Sequence, residues 1–208
     1  MIPDHHRTRA RPIAQHEMGH YVIAKALGFC TGEVSLTLIG FDGHRGEATL
    51  YLYEPFETVP QIRSYLEKRI LVLFAGSIAE TLPPIQIPTR GVDQEKAQTI
   101  MLGPTAENDY GKARELVAML RNILHPDTSD LSDSSDQKMQ IINRLWDRAV
   151  ELVEQHDELI VGLASSLVAS MKPAQERETY KGTLSEELLA GLPSLQDLQV
   201  IDPFPTGL

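Results

Sequence analysis

The stretch "AQHEMGHYVIAKALGF", residues 14–29, decides how the chain is read. Two histidines, His16 and His20, stand four apart with Glu17 beside the first. Ile13, Val22, Ile23, Ala26 and Leu27 recur around them at roughly helical spacing, Pro12 suits a first helical position, and Gly28 suits a C-terminal stop. On a helix, residues i and i+4 lie one turn apart on the same face, so both imidazoles can point a nitrogen at one ion. Glu17 falls one step round, near such an ion without being forced to bind it. This is the H-E-x-x-H arrangement, in which the glutamate takes a proton from a water that the metal activates. Zinc is the usual occupant, with three protein ligands and one open position. A histidine pair that merely packs is the plainer alternative; the strongly helical context favours metal.

Two histidines leave such a site one ligand short. The extended H-E-x-x-H-x-x-G-x-x-H pattern fails, because Ile23 and Ala26 fill its last two named places. Two carboxylates compete. Glu80 ends "LFAGSIAE", and Asp109 stands near the start of a helix in "TAENDYGKARELV". Either would also suit a helix dipole or a surface ion pair, and spacing alone does not choose between them.

Outward from the motif, "EVSLTLIGFDGHRGEATLYLY" alternates on two arms (Val34, Leu36, Leu38; Ala48, Leu50, Leu52) around the turn-rich "GFDGHRG", which predicts a β-hairpin. Helical spacing returns from Glu57 to Thr81, with Pro60 in the first turn. Residues 82–104 form a Pro/Gly-punctuated connection holding one short helix. Further helices are expected over 105–124, 136–155 and 157–171, with Asp157 as a cap and the acidic, serine-rich 125–136 as a loop. After Pro173 the pattern weakens to a short helix near "SEELLAGL" and an extended tail. The expectation is a mainly α chain with one hairpin beside the motif helix: a loose segment 1–11, a single domain 12–192 interrupted at 82–104, and a tail 193–208.

Composition narrows the class. With 19 basic against 29 acidic residues, the formal charge of -10 argues against nucleic-acid or anionic-membrane partners. Cys30 is the single cysteine, which excludes an internal disulfide and a thiolate-rich zinc site. No secretory signal is evident, and the longest apolar run, "ILVLFAGSIA" (70–79), is too short for a membrane span. A soluble, cytoplasmic protein is expected.

Several segments resemble one known family. "QHEMGHYVIAKALG" resembles the "HEAGHA" helix of the FtsH-type zinc metalloproteases, and "SLTLIGFDGHRGEATLYLYE" is similar to the hairpin that follows it there. "SYLEKRILVLFAGSIAE" looks like the family's "L…I…L.GGRAAE" helix, and "AENDYGKARELVAML" like its "SNDL.KAT.IAR.MV" segment. "HDELIVGLASSLVASM" and "KGTLSEELL" are similar to its closing stretches, and the order is collinear over roughly 12–192. The resemblance implies a helical peptidase domain, His16 and His20 as zinc ligands, Glu17 as catalytic base and Asp109 as third ligand. It sets Glu80 behind the ligands, as a hydrogen-bond partner to one of them. There are departures. No G-x-x-x-x-G-K-[ST] motif exists, Ser77 replaces the family's usual arginine, and the connection from Glu80 to Asp109 is longer than the family's. The ATPase domain, the hexameric ring and membrane attachment therefore do not carry over.

The activity so implied is metalloendopeptidase action on short or unfolded polypeptides, with backbone pairing along strand 46–53 giving broad specificity. A separate unfoldase partner would be needed for folded substrates, and oligomerisation is left open. The alternatives are a catalytically silent or auto-inhibited adaptor, the latter blocked by 82–104, and a zinc hydrolase of small amides. His44, in the hairpin turn, is expected to be exposed, the alternative being that the turn folds over the cleft and brings it toward the oxyanion. His5 and His6 are expected in the loose terminus, His125 and His156 at loop or helix boundaries, and Trp146 in the core.

Overall fold

The computed structural model describes residues 2–83, 91–127, 130–174 and 178–204. Helix α1 (Asp4–Ala26) carries the motif and begins eight residues before its expected start, so the segment 1–11 is helix from Asp4 and Pro12 lies inside it. An interior proline loses a helical hydrogen bond and crowds the preceding turn, at a cost of about 3 kcal/mol. Tertiary contacts offset that cost. Ile2 and Ala10 are buried, the His6 ring lies 4.6 Å from that of Tyr180, and Arg9 donates to the carbonyls of Gly40, Phe41 and Gly43. The arginine thereby ties the helix to the hairpin turn.

The expected hairpin forms from β1 (Cys30–Ile39) and β2 (Gly43–Tyr51), which pair antiparallel with Val34 opposite Ala48 and Leu36 opposite Gly46. The turn is shorter than the glycine-rich stretch: His44, Arg45 and Gly46 already belong to β2. Gly40 turns the chain at φ 54°, a conformation open to glycine at no steric cost. Val34, Leu36 and Leu38 are buried as the alternation predicts, and Ala48 and Leu50 pack against the core. Leu52 does not follow; it lies past the end of β2 and is 41% exposed.

The hairpin is half of a four-stranded antiparallel sheet in the order β2-β1-β4-β3, which the sequence did not announce. The two added strands are β3 (Lys172–Pro173) and β4 (Thr179–Leu184), the latter pairing Leu184 with Val34 and Gly182 with Leu36. With β1 paired to β4 on its other side, β2 is one of the sheet's two edge strands among the described residues.

Helix α2 (Val59–Ala79) is the centre of the molecule. Thr58 and Gln61 close a capping box at its start, Pro60 sits in the first turn as expected, and Leu66 to Ala79 is almost wholly buried. The α1–α2 crossing is close because both partners are small. A Cβ on Gly19 would lie 2.6 Å from the Ala75 oxygen and from Ala79 Cβ. On its other sides α2 meets α4 (Glu107–Leu124) and α5 (Leu131–Gln155). Glu67 of α2 receives both Arg63 and Arg144, the latter at 2.6 Å. Trp146 is in the core as expected, edge-on to Phe74 at 5.3 Å.

The remaining elements adjust the expected boundaries. The short helix of the 82–104 connection is α3 (Gln94–Met101), capped by Asp93, while 84–90 lie outside the described residues. A 3-10 turn over Pro104–Ala106 precedes α4. The acidic stretch read as a loop to 136 becomes α5 at Leu131, because Asp130 caps it through Ser132 N at 2.7 Å. Helix α6 (Asp157–Ser170) takes His156 as its N-cap, and Asp157 is its first residue rather than its cap. His125 ends α4 and His156 ends α5, both at boundaries as expected. Helices α7 (Glu186–Ala190) and α8 (Pro193–Gln196) follow β4. The tail 193–208 is thus partly helical, with Leu195 buried and Ile201 N donating to Ala26 O at 2.7 Å. Among the described residues no helix is long and apolar enough to cross a membrane.

Candidate metal centre

The i, i+4 spacing places His16 and His20 on the face of α1 that α2 covers, and both are about 8% exposed. Buried imidazoles need partners, and each ring has one at Nδ1. His20 Nδ1 stands 2.7 Å from the Val72 oxygen. A carbonyl only accepts, so His20 Nδ1 carries a proton and donates it to Val72. His16 Nδ1 lies 3.2 Å from Glu80 Oε2, where the last turn of α2 delivers that carboxylate. Both rings are therefore held from behind, with Nε2 turned forward, as metal-binding histidines are oriented.

Forward of them stands Asp109, on the first turn of α4. Its Oδ2 is 3.3 Å from His16 Nε2 and 3.1 Å from His20 Nε2. The three donor atoms lie within 4.8 Å of one another. Two ligands bonded to one zinc at tetrahedral angles would stand roughly 3.3 Å apart, given bonds near 2.05 Å. The two aspartate–imidazole spacings have that length. Gly76 makes room: a Cβ there would sit 2.5 Å from His20 Nε2 and 2.7 Å from His16 Nε2. Two imidazoles and one carboxylate, backed by hydrogen bonds and open on one side, fit a divalent metal.

The electrostatics agree with a site built for a cation. Burial opposes charge on His16, but its hydrogen bonds to Asp109 and Glu80 outweigh burial and hold its pKa up at about 10. Burial would likewise raise Asp109, yet the hydrogen bonds from His16 and His20 win and hold its carboxyl well below the ordinary carboxylate range. Without metal, protons play the part of the cation.

Glu17 is not among the ligands. It is 9% exposed, faces β2, and its Oε1 occupies the space a Cβ on Gly46 would need. Burial pushes its carboxyl up, against the pull of His20 and His16. All the motif residues, with Asp109 and Glu80, open on one cleft of about 680 Å³ bounded by β2, α1, α2 and α4. The geometry separates the two competing carboxylates: Asp109 meets the Nε2 atoms and Glu80 meets Nδ1 of His16.

No family model and no curated sequence matches the chain.

His44 of β2 does line the cleft, whereas His5 and His6 lie in α1 away from it, against each other and Tyr180. The described part of the long connection, 91–104, lines none of this cleft; its helix α3 packs on α2. Sequence reasoning passed over three contributors. Gly76 and the Val72 carbonyl are two, and the family's small-residue helix offered a hint for the first. Arg69 is the third, a half-buried cation on α2 in the cleft wall. Its signal was its spacing: seven residues before Gly76 puts both on one face of α2.

Proposed function

We propose that the protein is a zinc-dependent metalloendopeptidase of unfolded or short polypeptides. The observation that carries this reading is the convergence of His16 Nε2, His20 Nε2 and Asp109 Oδ2 beside a non-ligating glutamate, at the floor of an open cleft. His16, His20 and Asp109 would hold the metal, which supplies Lewis-acid polarisation of the scissile carbonyl and of the attacking water.

The chain's own residues supply the rest. Glu17 accepts the water proton on its carboxylate as attack begins, and then delivers it to the departing amine nitrogen. Its burial suits that task, because a carboxylate pushed up from its usual range is a better base near neutral pH. Val72 and Glu80 keep the two rings from turning, so that no reorganisation is required at the moment of reaction. The free edge of β2 runs along the cleft through Gly46, beside Glu17, and offers main-chain hydrogen bonds to an extended substrate. Those bonds ignore side-chain identity, which favours broad specificity. Cleavage of folded proteins would call for a separate unfoldase.

A silent adaptor accounts less well for Glu17: a binding protein has no use for a buried carboxylate with no hydrogen-bond partner among the described residues. Digestion of unfolded casein tests the proposal. Turnover that stops with chelator, returns with zinc and is absent from Glu17→Gln is the expected result; chelator-insensitive turnover, or none in the zinc-loaded protein, contradicts it.

A further inference from the structure

Arg69 is the cleft residue that the metal site leaves unused. Arg63, also on α2, is paired: it shares Glu67 with Arg144. Arg69 is half-buried, yet among the described residues it makes no hydrogen bond and no ion pair. It feels Asp109 and the Tyr65 hydroxyl electrostatically but bonds to neither, and Asp109 turns Oδ2 to the two histidines. A guanidinium cannot shed its charge to suit burial, and it carries five donors in a rigid fork. Such a group in a cleft wall is a receptor for an anion from outside.

We propose that Arg69 determines specificity by binding a substrate carboxylate within two residues of the scissile bond. The proposal rests on the peptidase reading above. Spacing along α2 sets the reach. Arg69 and Gly76, which underlies the imidazoles, are seven residues apart, or about 10 Å along the axis. An extended peptide covers about 3.3 Å per residue, and the arginine side chain spans part of the gap. The planar fork matches a carboxylate through two parallel hydrogen bonds, which a lysine would not. Arg45 of β2 and Lys112 of α4, both exposed, also line the cleft, so its mouth attracts anions on a chain whose formal charge is -10. Of the acidic groups there, Glu80 and Asp109 are engaged by the histidines and Glu17 faces β2. Among the described residues, the exposed Glu47 is the one carboxylate at the mouth that opposes this attraction.

The test measures binding, so that it survives failure of the peptidase reading. Fluorescent peptides bind to Glu17→Gln protein, zinc-loaded and chelator-treated, and anisotropy gives Kd. One pair differs by glutamate against glutamine beside the labelled bond, the other by a free C-terminal acid against its amide. The acid of at least one pair is expected to bind about 10–100-fold tighter than its neutral isostere, the value of a charge-assisted hydrogen-bonded pair. Either pair supports the proposal and names the source of the carboxylate. In the Arg69→Gln background the ratio falls toward one. Arg69→Lys, which keeps charge without the fork, retains only part of it and carries the test where Arg69→Gln does not fold. An acid-to-neutral ratio near one in both pairs overturns the proposal, as does an undiminished ratio in either folded variant. Loss of zinc affinity in Arg69→Gln with the ratio intact would make Arg69 a counter-charge to Asp109 and overturn it equally. Turnover of the same peptides by the Glu17-intact protein, lower in KM for the acid, is read separately.

Discussion

Gly76→Ala offers a prediction whose sign runs against ordinary helix chemistry. In the interior of a helix, replacing glycine by alanine commonly stabilises by up to about 1 kcal/mol. At position 76 the added methyl would sit 2.5 Å from two atoms of the His20 ring and 2.7 Å from His16 Nε2. Ordinary Cβ contacts begin at 3.4 Å, so the rings must retreat by most of an ångström. They are not free to do so, because Val72 O and Glu80 hold their Nδ1 atoms. A metal site tolerates roughly 0.5 Å of ligand displacement, and losing a hydrogen bond behind a ligand alone costs about 10–100-fold in metal affinity. The expected loss is therefore at least about 100-fold, read by competition with a chromophoric chelator. Overpacking costs about 1–3 kcal/mol, so the helix gain is cancelled and Tm does not rise. The control is Gly111→Ala in α4, where nothing lies within 4 Å of the new Cβ; it should keep metal affinity and gain up to about 1 kcal/mol. Wild-type metal affinity in a folded Gly76→Ala protein would refute the proposed packing of α2 against the imidazoles.

Other consequences can be checked alongside. Glu17→Gln should bind zinc with wild-type stoichiometry while kcat falls at least about 100-fold, the lower range for general-base loss; equal activity removes Glu17 from the mechanism. Glu80→Ala should weaken zinc about 10–100-fold by freeing His16 Nδ1, without abolishing the site; an unchanged Kd in chelator competition would deny it that role. Zinc binding should release protons, because metal-free His16 is protonated below a pKa of about 10 and must give up that proton to ligate. Affinity should thus climb with pH through the neutral range, and calorimetry in buffers of different ionisation enthalpy would count the protons. For the metal-free protein the sign reverses. The raised His16 contributes stability that is full below about 6.5 and is lost as pH rises toward about 10, so its Tm should decline over that window.

The parts of this architecture that were legible in the sequence are those set by local periodicity. The i, i+4 pair, the alternation of Val34, Leu36 and Leu38, and Pro60 in the first turn of α2 are written within a few residues of where they act. Contributions decided by distant parts of the chain were not. Strand β4 shows no strong alternation, because Gly182 is there to let Leu167 O approach, and its place beside β1 depends on all the chain between Ile39 and Thr179. Pro12 reads as a helix start, yet buried Ile2 and Ala10 and the Arg9 clamp carry the helix past it. In the site, His16, Glu17 and His20 are a single local signal. Spacing left Asp109 and Glu80 level, and only the family resemblance chose between them; in three dimensions they take opposite sides of the His16 ring. Arg69 has only its seven-residue spacing from Gly76 as a mark, since its distinction is the lack of a hydrogen-bond or ion-pair partner among the described residues.

The most direct measurement is metal analysis of the purified protein combined with X-ray absorption at the metal edge, on the wild type and on Asp109→Ala. One zinc per chain, with two imidazole nitrogens and a carboxylate oxygen at about 2.0–2.2 Å, and loss of that oxygen in the variant, is the expected outcome. A chain that takes up no metal, or whose coordination is unchanged when Asp109 is removed, would contradict it.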